Sequence, residues 1–336
     1  MRIALDAMGG DFAPENTLQG AKMALKSLDG IKKLYICGEE KIVKNILNSL
    51  SINDPRVEIV HAPQKVDMSD PPTEVLRRKK DSSISVAIDL VQAGDCDAVV
   101  SAGNTGATVA AASVRLGRLE GVERPGIASI LPNENGPCHI IDTGANPEAR
   151  ASQIFQYAVM GSVYSQHVYQ KPNPVVGLMS VGAEDEKGTE ITREVFSMLR
   201  DSNLNFCGNV EGHDLFERRI DVIACDGFVG NVILKSCEAT ARIIFKWLRE
   251  ELEQAGPIEK IGAKMAKGAF KKTKERGSYE SYGGSPLLGV NGTIIIAHGA
   301  SSPLAIRNAI RVAGEAVTHR VNPHIEEELS RYAVKI

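Results

Sequence analysis

The residues of this chain best suited to holding a small anion lie in four glycine-bearing turns. They are Asp6-Ala7-Met8-Gly9-Gly10-Asp11, Ser101-Ala102-Gly103-Asn104-Thr105-Gly106, Asp142-Thr143-Gly144-Ala145-Asn146 and Asp226-Gly227-Phe228-Val229-Gly230-Asn231. Each follows an apolar, strand-like run, and most precede a helix-like run. Strand-to-helix turns present unbonded backbone N–H groups and the positive end of a helix dipole, which favours phosphate-like anions. One such turn says little. Four in one chain suggest crossover loops that meet at one crevice. The candidate phosphate or substrate contacts are therefore Gly9, Gly10, Asp11, Gly103, Asn104, Thr105, Gly106, Asn146, Asp226 and Gly230.

Two further residues stand at turns of this kind. Lys187, in Val181-Gly182-Ala183-Glu184-Asp185-Glu186-Lys187-Gly188-Thr189, precedes a predicted helix start. Its ammonium could join free N–H groups around an anion, or pair with Glu184 or Glu186 on an exposed loop. The segment is not a P-loop, because no G-K-[ST] occurs. His298, in Ala297-His298-Gly299-Ala300-Ser301-Ser302, could act as acid or base or donate to a thioester carbonyl; a histidine at a strand end is also commonly structural. Asp6, Asp11, Asp142 and Asp226 could bind magnesium, but capping and loop-holding are the commoner uses of such acids. No metal or cofactor is expected. Strict G-x-G-x-x-G, H-E-x-x-H and G-x-S-x-G are absent.

The 336 residues, 43% hydrophobic and 24% charged, suit a globular protein. A net charge of −3 excludes a nucleic-acid binder that works by overall positive charge. The six cysteines form no CxxC pair and mostly sit in apolar runs, so reduced, buried thiols and a reducing cytosol are expected. The start Met-Arg-Ile-Ala-Leu-Asp enters a strand pattern at once, so no signal peptide is expected, and no apolar run approaches the ~20 residues that span a bilayer.

These residues need a frame. Short β-branched runs alternate with amphipathic stretches along the chain, the pattern of repeated βαβ units. The predicted fold is α/β, a three-layer α/β/α arrangement with a largely parallel sheet, in one catalytic domain over 1–336. Helices are predicted to begin near Pro14, Pro147 and Pro303, and 65–82 and 256–284 read as the least regular segments. Within the latter, Pro257–Arg276 carries seven basic residues against two acidic, a local net of +5. Ile258, Ile261, Met265 and Ala269 fall on one side at helical spacing. This basic amphipathic arm could lie on an anionic membrane, or pack on its own protein or a second subunit; Gly262 and Gly268 weaken the helix. Arg77-Arg78-Lys79-Lys80 is a solvated face or a steering patch for phosphate or an acidic carrier.

Taken in order, the four turns resemble the bacterial phosphate acyltransferases that use acyl-acyl-carrier protein as donor. The resemblance also rests on Arg77–Lys80, Arg124-Pro125, Gln156-Tyr157-Ala158-Val159-Met160-Gly161-Ser162, Glu184–Gly188, Gly208-Asn209-Val210-Glu211 and Ala297-His298-Gly299, and runs from Ile3 to about Val317. Thr143 stands where that family usually has valine. The resemblance implies a fold similar to isocitrate dehydrogenase and phosphotransacetylase, usually homodimeric. It implies transfer of a long-chain acyl group from the carrier-protein thioester to inorganic phosphate. The acyl phosphate would then feed glycerol 3-phosphate acylation by a downstream membrane acyltransferase. The setting it implies is cytoplasmic, peripherally associated with the membrane's inner face. Lys260, Lys264 and Lys267, with Arg77, Arg78, Lys79 and Lys80, become candidate carrier or membrane contacts.

Phosphate is already a nucleophile, so the protein need only bind it, align it with the thioester and stabilise the oxyanion. Lys187, Asn231 and His298 are the expected catalytic residues, with Asn104 a further neutral donor. Direct attack is expected rather than an acyl-cysteine on Cys225. Two other readings stand beside this one: a short-chain phosphotransacetylase acting on acetyl-CoA, and a non-catalytic membrane-surface scaffold. On the main reading, Lys187→Ala and Asn231→Ala should each lower acyl-phosphate formation at least about a hundredfold in folded protein, the usual cost of one preorganised donor. Near-normal turnover in either variant removes that residue from the site.

Overall fold

A computed structural model describes residues 1–276 and 282–332, apart from the side chains of 274–276. Eleven strands form one sheet: β1 (Arg2–Asp6), β2 (Lys33–Gly38), β3 (Val57–His61), β4 (Ala98–Ser101), β5 (Gly126–Leu131), β6 (Cys138–Ile141), β7 (Val175–Met179), β8 (Asn205–Val210), β9 (Val222–Ala224), β10 (Ser285–Leu288) and β11 (Thr293–Ile296). Their order is β3-β2-β1-β4-β11-β10-β5-β6-β9-β7-β8. The helices cover both faces. They are α1 (Glu15–Ser27), α2 (Glu40–Ser49), α3 (Pro72–Arg78), α4 (Ser83–Gln92), α5 (Thr105–Arg115), α6 (Ala151–Val168), α7 (Glu190–Arg200), α8 (Asp214–Glu217), α9 (Gly227–Gln254), α10 (Pro257–Met265), α11 (Lys267–Arg276), α12 (Pro303–Thr318) and α13 (Val321–Ser330).

Two parallel blocks flank a short antiparallel centre. β1 to β4 and β11 pair in parallel, as do β6 to β9. Between them the β11–β10, β10–β5 and β5–β6 pairings are all antiparallel. Three reversals are an odd number, so the two blocks point in opposite directions. Loops from opposite ends of the two blocks can therefore meet only over the central strands.

Strand positions follow the β-branched runs closely, but β10 was not legible. Its sequence is Ser-Pro-Leu-Leu, and Pro286 lacks the N–H that a central strand normally donates. Two other expectations are corrected. The helix predicted from Pro147 starts at Ala151, where the Gln153 Oε1 accepts the Arg150 N–H at 3.0 Å. The irregular stretch 65–82 contains α3, opened by Pro72 in the first turn. Of the stretch 256–284, residues 277–281 lie outside the described residues.

α6 is buried almost all round, the expected state of a helix apolar on every face. α9 is the opposite case. It runs 28 residues, about 42 Å at 1.5 Å per residue. Only Gly227 and Gly230 of it are buried. Beyond its first turns it stands away from the core, with Ile244 and Trp247 more than half exposed. The basic arm is two helices, α10 and α11, broken at Ala266. No described helix is long and apolar enough to cross a membrane.

One core residue makes stability depend on pH. His139, on β6, is 1% exposed and lies edge-on to Tyr164 and Tyr169, with ring centroids 5.4 and 4.6 Å away. Neither ring nitrogen finds a hydrogen-bond partner among the described residues. Burial lowers its pKa from 6.5 to about 4, and neighbouring Asp221 only partly offsets this. A depressed imidazole pKa means that the unfolded chain takes up the proton first. Stability is full above pH 6.5 and should be lost as pH falls toward 4, by on the order of 3 kcal/mol. His139→Phe keeps the aromatic contacts and should flatten that slope in urea titrations across this range. An unchanged slope would show that other groups carry it.

Candidate active site

The turns after β1 and β4 are built against each other. The Asp6 carboxylate accepts from the Ser101 hydroxyl at 2.6 Å, and Ser101 Oγ accepts the Gly103 N–H at 3.1 Å. Burial pushes the Asp6 carboxyl up, and hydrogen bonds from Ser101 and Ser83 oppose it. A Cβ at Gly9 would lie 2.4 Å from Asp6 and 2.8 Å from the Gly103 nitrogen, so only glycine allows this approach. The Asp11 N–H donates to the Gly299 carbonyl at 2.8 Å and fastens the His298 turn. Asn104 caps α5 by accepting the Ala107 N–H at 2.9 Å. Its amide donates to the Met68 and Asp70 carbonyls at 3.0 and 3.1 Å.

A second pair of turns sets α9. The buried Asp142 carboxylate accepts N–H groups from Ile127, Gly144, Ala145 and Asn146 at 2.7–3.1 Å. Asp226 caps α9 by accepting the Val229 N–H at 2.8 Å. A Cβ at Gly230 would come within 1.9 Å of the Asp142 carbonyl oxygen, and one at Gly227 within 2.7 Å of its carboxylate. The first turn of α9 thus seats directly on the Asp142 turn. This fixes Asn231, Lys235 and Glu238, at i, i+4 and i+7, along one face of the helix.

That face looks into a cavity of about 290 Å³ over the central strands, where polar groups converge among apolar ones. Thr105 and His298 reach it from the first block of the sheet, and Thr143, Gly144 and Asn231 from the second. Ser129 Oγ lies 2.7 Å from Thr143 Oγ1 and 2.9 Å from Ser285 Oγ, a row of three hydroxyls at its floor. His298 Nε2 lies 2.8 Å from Lys235 Nζ, which is 3.1 Å from Glu238 Oε2. His298 Nδ1 accepts the Ala300 N–H at 3.1 Å. Burial and the Lys235 charge lower the His298 pKa, with Glu238 opposing them, which favours a neutral ring. A neutral imidazole has one donor and one acceptor nitrogen. Nδ1 accepts, so Nε2 carries the proton and lies beside both Lys235 Nζ and, at 3.8 Å, Glu238 Oε2. An anion between Lys235 and His298 would accept from both, with Glu238 steadying Lys235.

Three of the predicted residues, Thr105, Asn231 and His298, line this cavity. Gly9, Gly10, Asp11, Gly103, Asn104, Gly106, Asn146, Asp226 and Gly230 do not; those with bonds described above support the turns behind it. Lys187 is exposed outside the lining, with its stem over Gly182, and the start of α7 is capped by Thr189, which accepts the Thr192 N–H at 3.1 Å. Lys79 is held by Asp70 at 2.5 Å, and Arg78 pairs with Glu74 at 2.7 Å. Arg77 and Lys80 are exposed, as are Lys260, Lys264 and Lys267. Cys225 is buried off the cavity, and burial raises its thiol well above the ordinary value. Among the described residues no cluster of three or more His, Cys, Asp or Glu side chains is placed to hold a metal. Lys235, Glu238, Ser129, Thr143 and Ser285 were missed as site residues. The helical spacing of Asn231, Lys235 and Glu238 was the available signal for two of them.

A second cavity, of about 910 Å³, opens beside the first and is mostly apolar. The two share Ile130, Leu234, Lys235, Glu238, Tyr282 and His298.

The fold is that of the phosphotransacetylases. A phosphotransacetylase from Streptococcus pyogenes superposes with a TM-score of 0.62 at 16% identity, over 95% of this chain and 94% of the other. A branched-chain phosphotransacylase from Enterococcus faecalis V583 gives 0.56 at 14% identity, over 94% and 99%. In sequence, residues 1–324 match the family described as fatty acid synthesis protein. The phosphate acyltransferase of Akkermansia muciniphila is 53% identical over 98% of this chain and 96% of its own, and that of Halothermothrix orenii 44% over 98% and 99%. The chain belongs to this phosphate acyltransferase family.

Proposed function

We propose that this enzyme transfers an acyl group from a thioester to inorganic phosphate, and that its donor is a long-chain acyl-carrier protein. The observation that carries this is one cavity where hydroxyls, Asn231 and the Lys235–His298 pair converge, joined to a larger, mostly apolar one. A phosphate oxygen attacks the thioester carbon, and the tetrahedral intermediate collapses with cleavage of the C–S bond. The thiolate leaves and takes up a proton. Asn231 and a neutral His298 donate to the developing oxyanion, and Lys235 holds the phosphate. Cys225, buried with a raised thiol pKa, is poorly suited to a covalent relay. Lys187, on the exposed loop after β7, is proposed as a further cation that meets the bound substrate.

The fold likeness to phosphotransacetylases favours a second reading, a short-chain enzyme acting on acetyl-CoA. The larger apolar cavity favours the long-chain one. The decisive assay is acyl-phosphate formation, trapped as hydroxamate. Palmitoyl-carrier protein should exceed acetyl-CoA in kcat/KM at least about a hundredfold, a margin that burial of only a few methylenes would supply. Comparable rates would select the short-chain reading, and no product from either donor would sink both and leave the scaffold. Lys235→Met and His298→Ala should each cost about a hundredfold or more.

The product would feed a membrane glycerol 3-phosphate acyltransferase, and the arm would attach a homodimer reversibly to anionic membrane. Exposed Ile258, Ile261 and Met265 beside Lys260 and Lys264 support this. Each cation near such a surface contributes about 1 kcal/mol. Changing Lys260, Lys264 and Lys267 to glutamate should abolish low-salt co-sedimentation with phosphatidylglycerol vesicles. Binding unchanged by those substitutions would leave the arm a structural or dimerising element.

A further inference from the structure

The apolar cavity has a definite direction. It begins at the shared junction of Lys235, Glu238 and His298 and runs along α9, away from the sheet. Ala241, Ile244 and Phe245 form its helix wall, and Leu131 of β5 and Phe216 of α8 stand on the other side. Arg242, Lys246 and Arg249 border it at i, i+4 and i+7; such side chains lay aliphatic stems along apolar surface while their charged heads stay in water. The wall is costly as it stands. Ile244 is 53% exposed and Phe216 38% exposed.

We propose that this groove takes the hydrocarbon chain of the donor thioester, whose reacting carbon lies at the Lys235–His298 junction. This rests on the acyl-transfer reading above. Three observations favour an acyl chain over other occupants. The groove is continuous with the cavity where the thioester must react. Its lining is mostly apolar, which suits a polymethylene chain and not the amide-rich arm of a carrier. Its volume, about 910 Å³, is near the top of the usual range for small-molecule sites, while the neighbouring cavity of about 290 Å³ is near the bottom of it. The chain therefore leaves the reaction centre along α9, and the acceptor approaches from the hydroxyl side.

The test uses thioesters of N-acetylcysteamine, which lack both carrier protein and phosphopantetheine. In the wild-type protein kcat/KM should climb from butyryl to palmitoyl, by up to about fourfold per added methylene, until the groove is full. Ala241→Trp fills the groove and Ile244→Glu places a charge in it. Each should lower the palmitoyl-to-butyryl ratio at least about tenfold. A flat wild-type series, or variants that depress both substrates equally, would overturn the proposal in favour of the carrier arm. Variants that change the sedimenting species but not the ratio would assign the groove to a second copy. If no thioester yields acyl phosphate, the acyl-transfer reading itself has failed. Affinity for a dansylated fatty acid, wild type against Ala241→Trp, then decides the groove separately: equal affinities would overturn it.

Discussion

The site depends on the Asp142 turn. A carboxylate with almost no solvent access gathers four backbone N–H groups, and so fixes the start of β5 and the turn after β6 in one rigid piece. α9 can seat on that piece only because two of its first residues are glycine. Replacing either with any larger residue would push the helix off the turn. Everything α9 brings to the cavity is aimed by this contact. Removing the carboxylate would leave buried donors unpaired, each costing roughly 1–3 kcal/mol, and would release the helix as well.

The glycines of the first two turns have the same use. They allow one backbone to approach another, and the nearby acids and amides are spent on holding those backbones. The polar lining of the cavity is mostly other groups, among them the hydroxyls of Ser129, Thr143 and Ser285 with Asn231, Lys235, Glu238 and His298. This division is physically sensible. A binding group must keep its hydrogen bonds for the ligand, so other groups must fix the frame. The His298–Lys235–Glu238 group is the charged end of that lining, a cation and an imidazole side by side with one carboxylate close to both.

The two joined cavities lie along α9 and divide that helix into two parts. Near its N-terminus it is pinned by two glycines and rests apolar side chains on the core. Further out it offers apolar side chains between long cations, with Ile244 and Trp247 more than half exposed. Val229, Ile233, Leu234 and Cys237 pack partly buried against the core under its first three turns, and beyond them no residue of the helix is buried. Its stability past the first turns must come from side-chain pairs such as Lys246–Glu250 at 3.6 Å, from α10, and from whatever fills the groove.

The sequence by itself determined the layered α/β fold. β-branched runs and amphipathic helices are local signals, and strands such as Val57–His61 and Ala98–Ser101 are short runs of that kind. It also determined the family, because an ordered set of turns is itself a property of sequence. It singled out Asn231, Thr105 and His298 as polar groups at strand-to-helix turns, and the structure brings these three to one cavity. It did not reveal β10, because a proline in a central strand is tolerated only by neighbours that are far away in the chain. It placed Lys187 in the site on the strength of a turn, and the structure leaves that turn exposed outside the cavity. Lys235, Glu238 and Ser129 passed as ordinary helix and strand residues, Thr143 as part of a turn, and Ser285 in a stretch with no legible element. Only the tertiary structure decided their meaning. Three antiparallel pairings reverse the sheet at its centre, so that loops from opposite ends of two blocks meet over β5 and β10, and no local pattern encodes which ends will meet.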